Sequence, residues 1–195
     1  EVVVKAFMAQ PNAPVSQKTL TDEEIEKVYV GQDPTFLLER TTPSIIAFSE
    51  NGTGFSNYSQ FRLRGIDQSR VNITLNGVPL NDMIDQGVFF SNFTDLANNI
   101  ESVQIQRGAG TSTNGTASFA GSVNFESAPL NQGEPSGSAE LVAGSFGMLR
   151  GSVGMNTGIM ENKWAFSSRF TTFTSDGYRD HTDSKSQSFF GSAGY

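Results

Sequence analysis

Val71-Asn-Ile-Thr-Leu-Asn-Gly-Val-Pro-Leu80 is the stretch on which the reading of the fold turns. Val71, Ile73 and Leu75 alternate with Asn72 and Thr74, the two-residue period of a strand. Asn76-Gly77 follows at once and is a strong hairpin signal, because both residues tolerate positive φ. Three further segments alternate in the same way. Residues 60–64 set Phe61 and Leu63 against Arg62 and Arg64, residues 101–107 run through Val103 and Ile105, and residues 122–127 through Val123 and Phe125. Together they predict a small sheet.

Short helices are expected to pack on it. Thr21-Asp-Glu-Glu24 is a capping box, followed by an apolar stripe of Ile25, Val28 and Tyr29 that Gly31 ends. Asp33-Pro34 opens a second helix with Phe36, Leu37 and Leu38 inward, stopped by Thr42-Pro43. A third candidate covers residues 94–100. None is long enough to stand alone. Residues 1–130 therefore read as an α+β unit with Gly-rich loops at 49–59 and 108–121.

The pattern changes after Asn131-Gln-Gly-Glu-Pro135 to strand, turn, strand. Leu149, Gly151, Val153 and Met155 share one face, against Arg150, Ser152, Gly154 and Asn156. Trp164, Phe166 and Phe170 lie opposite Lys163, Ser167, Arg169 and Thr171. Apolar-out, polar-in strands joined by a short turn at 157–162 and a long polar loop at 174–187 fit a membrane barrel wall. A soluble antiparallel sheet with one wet face has the same period.

Composition narrows the function classes. The 195 residues carry 13 Lys plus Arg against 20 Asp plus Glu, a net charge of −7, with one His and no Cys. That balance argues against a nucleic-acid binder, which needs clustered bases. Without Cys there is no disulfide scaffold, Cys zinc site or thiol nucleophile. With one His and no nucleophile elbow, an enzyme is not expected. No cofactor is called for: the run 107–115 lacks the Gly-Lys-Ser/Thr ending of a phosphate loop. Asp176, Asp180, His181 and Asp183 have no metal-ligand spacing and read as a solvated acidic loop. Asp82 and Asp85 have no nucleophile or base beside them. Asn-x-Ser/Thr matches at Asn51, Asn57, Asn72, Asn92 and Asn114 are incidental, since Asn72 sits inside a core strand.

Two features stay open on the residues alone. Glu1-Val-Val-Val-Lys-Ala6, set off by Gln10-Pro-Asn-Ala-Pro14, is either a terminal strand or a free tail able to join a partner's sheet edge. Arg64-Gly65 and Arg107-Gly108 each end a strand with an arginine that has no acidic neighbour, so their carboxylate partners are expected elsewhere.

Phe61-Arg-Leu-Arg-Gly-Ile-Asp67, Val71 to Leu80, Ile100-Glu-Ser-Val-Gln-Ile-Gln-Arg-Gly108 and Asn114-Gly-Thr-Ala-Ser-Phe-Ala-Gly-Ser-Val-Asn-Phe125, in that order, resemble a TonB-dependent outer-membrane transporter, of the kind found in Bacteroidetes. The resemblance implies an α+β plug domain followed by the first antiparallel strands of a transmembrane β-barrel. It divides the chain into a Ton box and linker at 1–12, a plug at 13–130 and three to four wall strands at 131–195. Glu1, Val2, Val3, Val4, Lys5 and Ala6 would be the Ton box, although Lys5 stands where Thr is common. Arg64 and Arg107 would lock plug to barrel. The loops at 49–59 and 81–90 would face substrate, with Phe55, Tyr58, Asp85, Phe89 and Phe90 as candidate contacts. The aromatics among them are equally suited to packing the plug. Implied partners are TonB with its ExbB/ExbD energy complex, a nutrient such as a ferric siderophore, outer-membrane lipid, the rest of the barrel and a surface lipoprotein. The implied function is energy-coupled uptake across a Gram-negative outer membrane, with a vitamin B12 or glycan importer, or an adhesion module, as alternatives. A barrel of about 22 strands at roughly ten residues each needs on the order of 200 wall residues, so the chain is expected to be a piece of a longer protein.

Overall fold

The computed structural model describes residues 8–9, 13–55, 58–109, 118–130, 133–161 and 163–195. The Ton-box residues 1–6 lie outside them. The first half of the chain contains β1 (Ser16–Thr21), α1 (Asp22–Glu26), α2 (Pro34–Thr41), β2 (Ile45–Ser49), β3 (Ser59–Leu63), β4 (Ile66–Asp67), β5 (Val71–Leu75) and β6 (Val78–Pro79). Next come β7 (Ile100–Arg107) and β8 (Gly121–Ser127), then four longer strands, β9 (Ser136–Ala143), β10 (Leu149–Ile159), β11 (Ala165–Ser175) and β12 (Ser184–Gly194).

The hairpin forms where Asn76-Gly77 demands it. Both residues have positive φ (51° and 80°), and Leu75 pairs with Val78. β5 also lies parallel to β8, with Ile73 opposite Val123, while the other contacts of this sheet are antiparallel in the order β1-β7-β8-β5-β6. That register stacks Val71, Ile73, Val103, Ile105, Val123 and Phe125 on one face, where they form the core with Leu37, Leu38, Phe61 and Leu63. The opposite face carries Asn72, Thr74, Gln104, Gln106, Ser122 and Asn124, and it too is buried. Such a face requires internal hydrogen bonds. Thr74 Oγ1 donates to Asn124 Oδ1 (2.9 Å), and Gln106 Nε2 donates to Gln104 Oε1 (2.9 Å).

One expected sheet is in fact two, because β2, β3 and β4 form a separate three-stranded sheet. The turn at Arg64-Gly65, with Arg64 at φ 52°, and the 3-10 turn Gln68–Arg70 swing the chain out of line between β3 and β5. The helix expected at 94–100 is a 3-10 turn, Leu96–Asn99. The first helix is capped as read, with the Glu24 carboxylate accepting from the Thr21 N–H (3.1 Å). α2 buries Leu37 and Leu38 and leaves Phe36 half-buried.

β12, β11, β10 and β9 form an antiparallel wall in that order. Val153, Met155, Phe166, Phe170 and Phe189 point outward and are exposed, whereas Arg150, Ser152 and Gly154 point towards the first unit and are buried. The polar loop expected at 174–187 shrinks to residues 176–183, because Thr174 pairs with Lys185 and Ser175 with Ser184. Trp164 stacks on Phe166 (5.9 Å between centroids) and meets Tyr195 at 5.4 Å, an aromatic cluster at the short-turn end of the wall. Among the described residues no helix is long and apolar enough to cross a membrane. Val153→Arg places a charge mid-strand on the outward face and is expected to cost about 2–4 kcal/mol, with Val153→Leu near neutral. Urea unfolding of the full-length protein in lipid vesicles measures both.

Candidate functional site

The two units meet at Asp95. It follows Thr94 in a turn, adopts a left-handed backbone (φ 62°), and aims its carboxylate at the wall. Asp95 Oδ1 accepts from Arg150 Nη2 (2.6 Å), Arg150 Nε (3.2 Å) and the Tyr29 hydroxyl (2.7 Å). Asp95 Oδ2 accepts from Thr171 Oγ1 (2.6 Å) and Asn98 Nδ2 (3.0 Å). Arg150 Nη1 donates to Glu140 Oε2 (2.6 Å), and the guanidinium lies over the Tyr29 ring, its Cζ 5.4 Å from the centroid. One carboxylate therefore ties the first unit to β10 and β11, and through Arg150 to β9. Both ends of the Arg150–Asp95 pair are buried, with side chains 2% exposed. The Glu140 side chain is 44% exposed, so its contact with Arg150 is the weaker of the two.

Gly31 makes room for this pair. Its φ of 98° excludes most side chains, and a Cβ there would collide with Arg150 Cδ. The arginine cannot step aside while its guanidinium is held at both ends. Burial, and then the Asp95 charge, push the Tyr29 phenol well above its ordinary value of 10.0.

A second cluster lies at the opposite end of the wall from the Trp164 cluster. There the chain at 50–51 bonds the long wall connection, with Arg179 Nη1 donating to the Glu50 carbonyl (2.9 Å) and the Tyr178 N–H to that of Asn51 (3.3 Å). The Glu50 N–H donates to the Tyr58 carbonyl (3.1 Å), which brings Tyr58 to the same end. Tyr58 meets Phe89 edge-on (6.2 Å, 90°), and both line a cavity of about 240 Å³ together with Asp67, Gln68 and Asp85.

The five candidate substrate contacts thus divide. Tyr58, Asp85 and Phe89 border the cavity and are exposed, whereas Phe90 also touches it but is 1% exposed, wedged between Phe61 and Phe125. Phe55 stacks on Phe173 of the wall (6.1 Å, 14°). Arg64 is exposed, and Arg107 is half-buried with Nε lacking a hydrogen-bond partner among the described residues.

Residues 9–122 match the family model "TonB-dependent Receptor Plug Domain". The chain belongs to the TonB-dependent receptor plug family. No curated protein matches it by sequence. Among solved structures, it is similar to Pseudomonas aeruginosa FpvA bound to a heterologous pyoverdine (TM-score 0.72, 18% identity, covering 93% of this chain and 23% of that one). It is also similar to the siderophore receptor PiuA from Acinetobacter baumannii (0.71, 19%, 97% and 25%) and the ferric yersiniabactin uptake receptor FyuA from Yersinia pestis (0.65, 16%, 93% and 28%). The chain spans about a quarter of the length of these receptors. At such identities the likeness is one of fold: a mixed-sheet plug followed by antiparallel barrel strands.

Within that frame, Asp95 and Arg150 are plug and barrel residues. Sequence reading singled out neither as a lock. The available signal was Arg150, a single large charge among Ser and Gly on the inward face of β10, which requires an acidic partner across the interface. Asp95→Ala should weaken plug docking by on the order of 3–5 kcal/mol, the cost of leaving a buried charge alone. The double exchange Asp95→Leu/Arg150→Met should recover most of that loss, as read by the thermal unfolding of the full-length receptor. Because the folded-state value of Tyr29 is raised, its contribution to docking is complete below about pH 10 and is lost as the pH climbs towards the folded-state value. Tyr29→Phe should remove that alkaline sensitivity.

Proposed function

We propose that this chain is the plug and first wall strands of an energy-coupled importer that takes a scarce chelated nutrient, a ferric siderophore or similar iron chelate, across a Gram-negative outer membrane. The observation that carries the reading is the Asp95 lock: the plug is bonded to the inward, polar face of a wall whose other face is apolar. A domain held there is a stopper in a lumen, and a stopper must be moved for anything large to pass.

The N-terminal segment is the handle for that movement. Residues 1–6 would pair as a strand with TonB, which is driven by ExbB/ExbD; main-chain bonding explains how a short β-branched run suffices. Three residues beyond Ala6, Ala9 is tied to the central sheet by both of its backbone groups. Its N–H donates to Gln104 Oε1 (2.7 Å) and its carbonyl accepts from Gln104 Nε2 (3.1 Å). Gln104 sits in the middle of β7, hydrogen-bonded in turn to Gln106 and Thr19. Tension on the tail would therefore reach β7 first.

Ligand bound at the Tyr58–Phe89 end would bias the plug between states that hold or release the tail, by binding one more tightly. Arg64 and Arg107 would complete the lock by meeting acidic residues on later barrel strands.

Deleting residues 1–6 should abolish capture of the TonB C-terminal domain by the purified receptor; unchanged capture would refute the Ton-box assignment. Gln104→Leu keeps the side-chain volume and removes both bonds to Ala9. It should raise TonB capture without ligand several-fold, given about 0.5–1.5 kcal/mol for each hydrogen bond. Accumulation of radioactive iron chelates in cells with and without the receptor tests the substrate.

A further inference from the structure

The outward face of the wall is not apolar over its whole height. Starting from the Trp164–Tyr195 cluster, β11 and β12 present Phe166 and then Phe170 paired with Phe189, all of them exposed. The next two outward rows change character. Thr172 pairs with Gln187 and Thr174 with Lys185, and the two-residue period turns these four side chains the same way as Phe170 and Phe189. None of the four has a side-chain hydrogen-bond or ion-pair partner among the described residues. Lys185 is also the one charged side chain on the outward face of the four strands, since Glu140, Arg150 and Arg169 point inward. Asp183, two residues before it, belongs to the loop and forms no ion pair with it.

Chemistry and spacing place this patch at a membrane boundary. A lysine facing lipid is costly at mid-depth and tolerated near the headgroups, where its stem lies on apolar surface and its ammonium reaches water. Spacing gives the same level independently. Trp164 and Thr174 stand ten positions apart along β11 and the residue before it. At about 3.4 Å per residue and a tilt of roughly 40°, that is a height of about 26 Å, against about 25 Å for the apolar band of a barrel wall. With Trp164 and Tyr195 at the short-turn boundary, Lys185 falls on the opposite one. We infer that Lys185, with Thr172, Thr174 and Gln187 beside it, is a binding surface for the anionic phosphate of a lipid headgroup in the leaflet on the long-loop side. The ammonium selects the phosphate, and the hydroxyl and amide groups donate to its oxygens. The adjoining Phe170–Phe189 row selects an amphiphile over a soluble anion. The inference rests on β9–β12 being a membrane wall, and not on what the receptor imports.

Lipids of known charge test the patch on the full-length receptor. Native mass spectrometry from detergent should show diphosphoryl lipid A retained better than monophosphoryl lipid A, with zwitterionic dimyristoylphosphatidylcholine retained least. Lys185→Gln should lower retention of diphosphoryl lipid A roughly threefold, the scale of one exposed charge contact. Lys185→Arg should keep it, and Lys163→Gln, at the short-turn end, should leave it unchanged. Depth is read separately in vesicles of phosphatidylcholine brominated at mid-chain. A tryptophan introduced as Phe170→Trp should be quenched strongly, and one introduced as Thr174→Trp weakly. Unchanged retention in Lys185→Gln, an equal loss in Lys163→Gln, or equal quenching of the two introduced tryptophans would each overturn the inference. Absence of quenching in Phe170→Trp would refute the membrane wall and the patch together. Iron-chelate uptake enters neither readout, so failure of the importer reading leaves the patch standing.

Discussion

A charge cannot be left alone in a protein interior, and at Arg150 that constraint organises the junction between the two halves of the chain. The guanidinium is buried on the inward face of β10, where desolvation would be prohibitive without partners on every side. Asp95 supplies one from the plug, Glu140 another from the neighbouring strand, and the Tyr29 ring closes the remaining face. Thr171 and Asn98 satisfy what is left of Asp95. Everything that must be true of the plug locally follows from this arrangement. Gly31 is bare of side chain, the chain at Asp95 adopts a left-handed turn, and the 3-10 turn after it brings Asn98 within reach. An all-apolar interface could be as stable, but it would tolerate sliding. A single carboxylate receiving five hydrogen bonds fixes position.

The interior of the plug departs from the usual division into apolar core and wet surface. Its central sheet is buried on both faces, and one of them is amide and hydroxyl. Such a face holds its neighbours through directional bonds of modest net worth, each of which can be broken and remade. The apolar face behaves differently. Separating Phe61, Phe90 and Phe125 from their neighbours would expose large areas to water at once. The two kinds of adhesion thus lie on opposite sides of one sheet, bulk apolar burial on one and directional hydrogen bonds on the other.

Much of this architecture was legible from residue patterns. The Asn76-Gly77 hairpin, the Thr21–Glu24 cap and the alternation through β7, β8, β10 and β11 each depend on local chemistry, and local chemistry is what a sequence displays. The misses share a cause. β1 buries little beyond Leu20, so its strand pairing with β7 leaves no period in the text. β2, Ile-Ile-Ala-Phe-Ser, presents Ile46 and Phe48 to solvent and so lacks a polar face to alternate against. Asp95 and Arg150 stand 55 residues apart, and nothing near either one names the other. The aromatic candidates could be found but not sorted: Phe89 and Phe90 are adjacent, yet one borders solvent and the other the core, a distinction set by the 3-10 turn that begins between them.

The Asp95 contacts also bear on how such a protein is made. Arg150, Glu140 and Thr171 belong to three successive wall strands, and Asp95, which accepts from both Arg150 and Thr171, precedes all of them in the chain. A wall that entered the bilayer ahead of its plug would carry a buried-type arginine with half its partners missing. A plug folded on its own would present an unpaired carboxylate. Each half therefore carries an unmet charge until the other is seated against it, so plug and first wall strands are completed together, as a cork is shaped by the neck of its bottle.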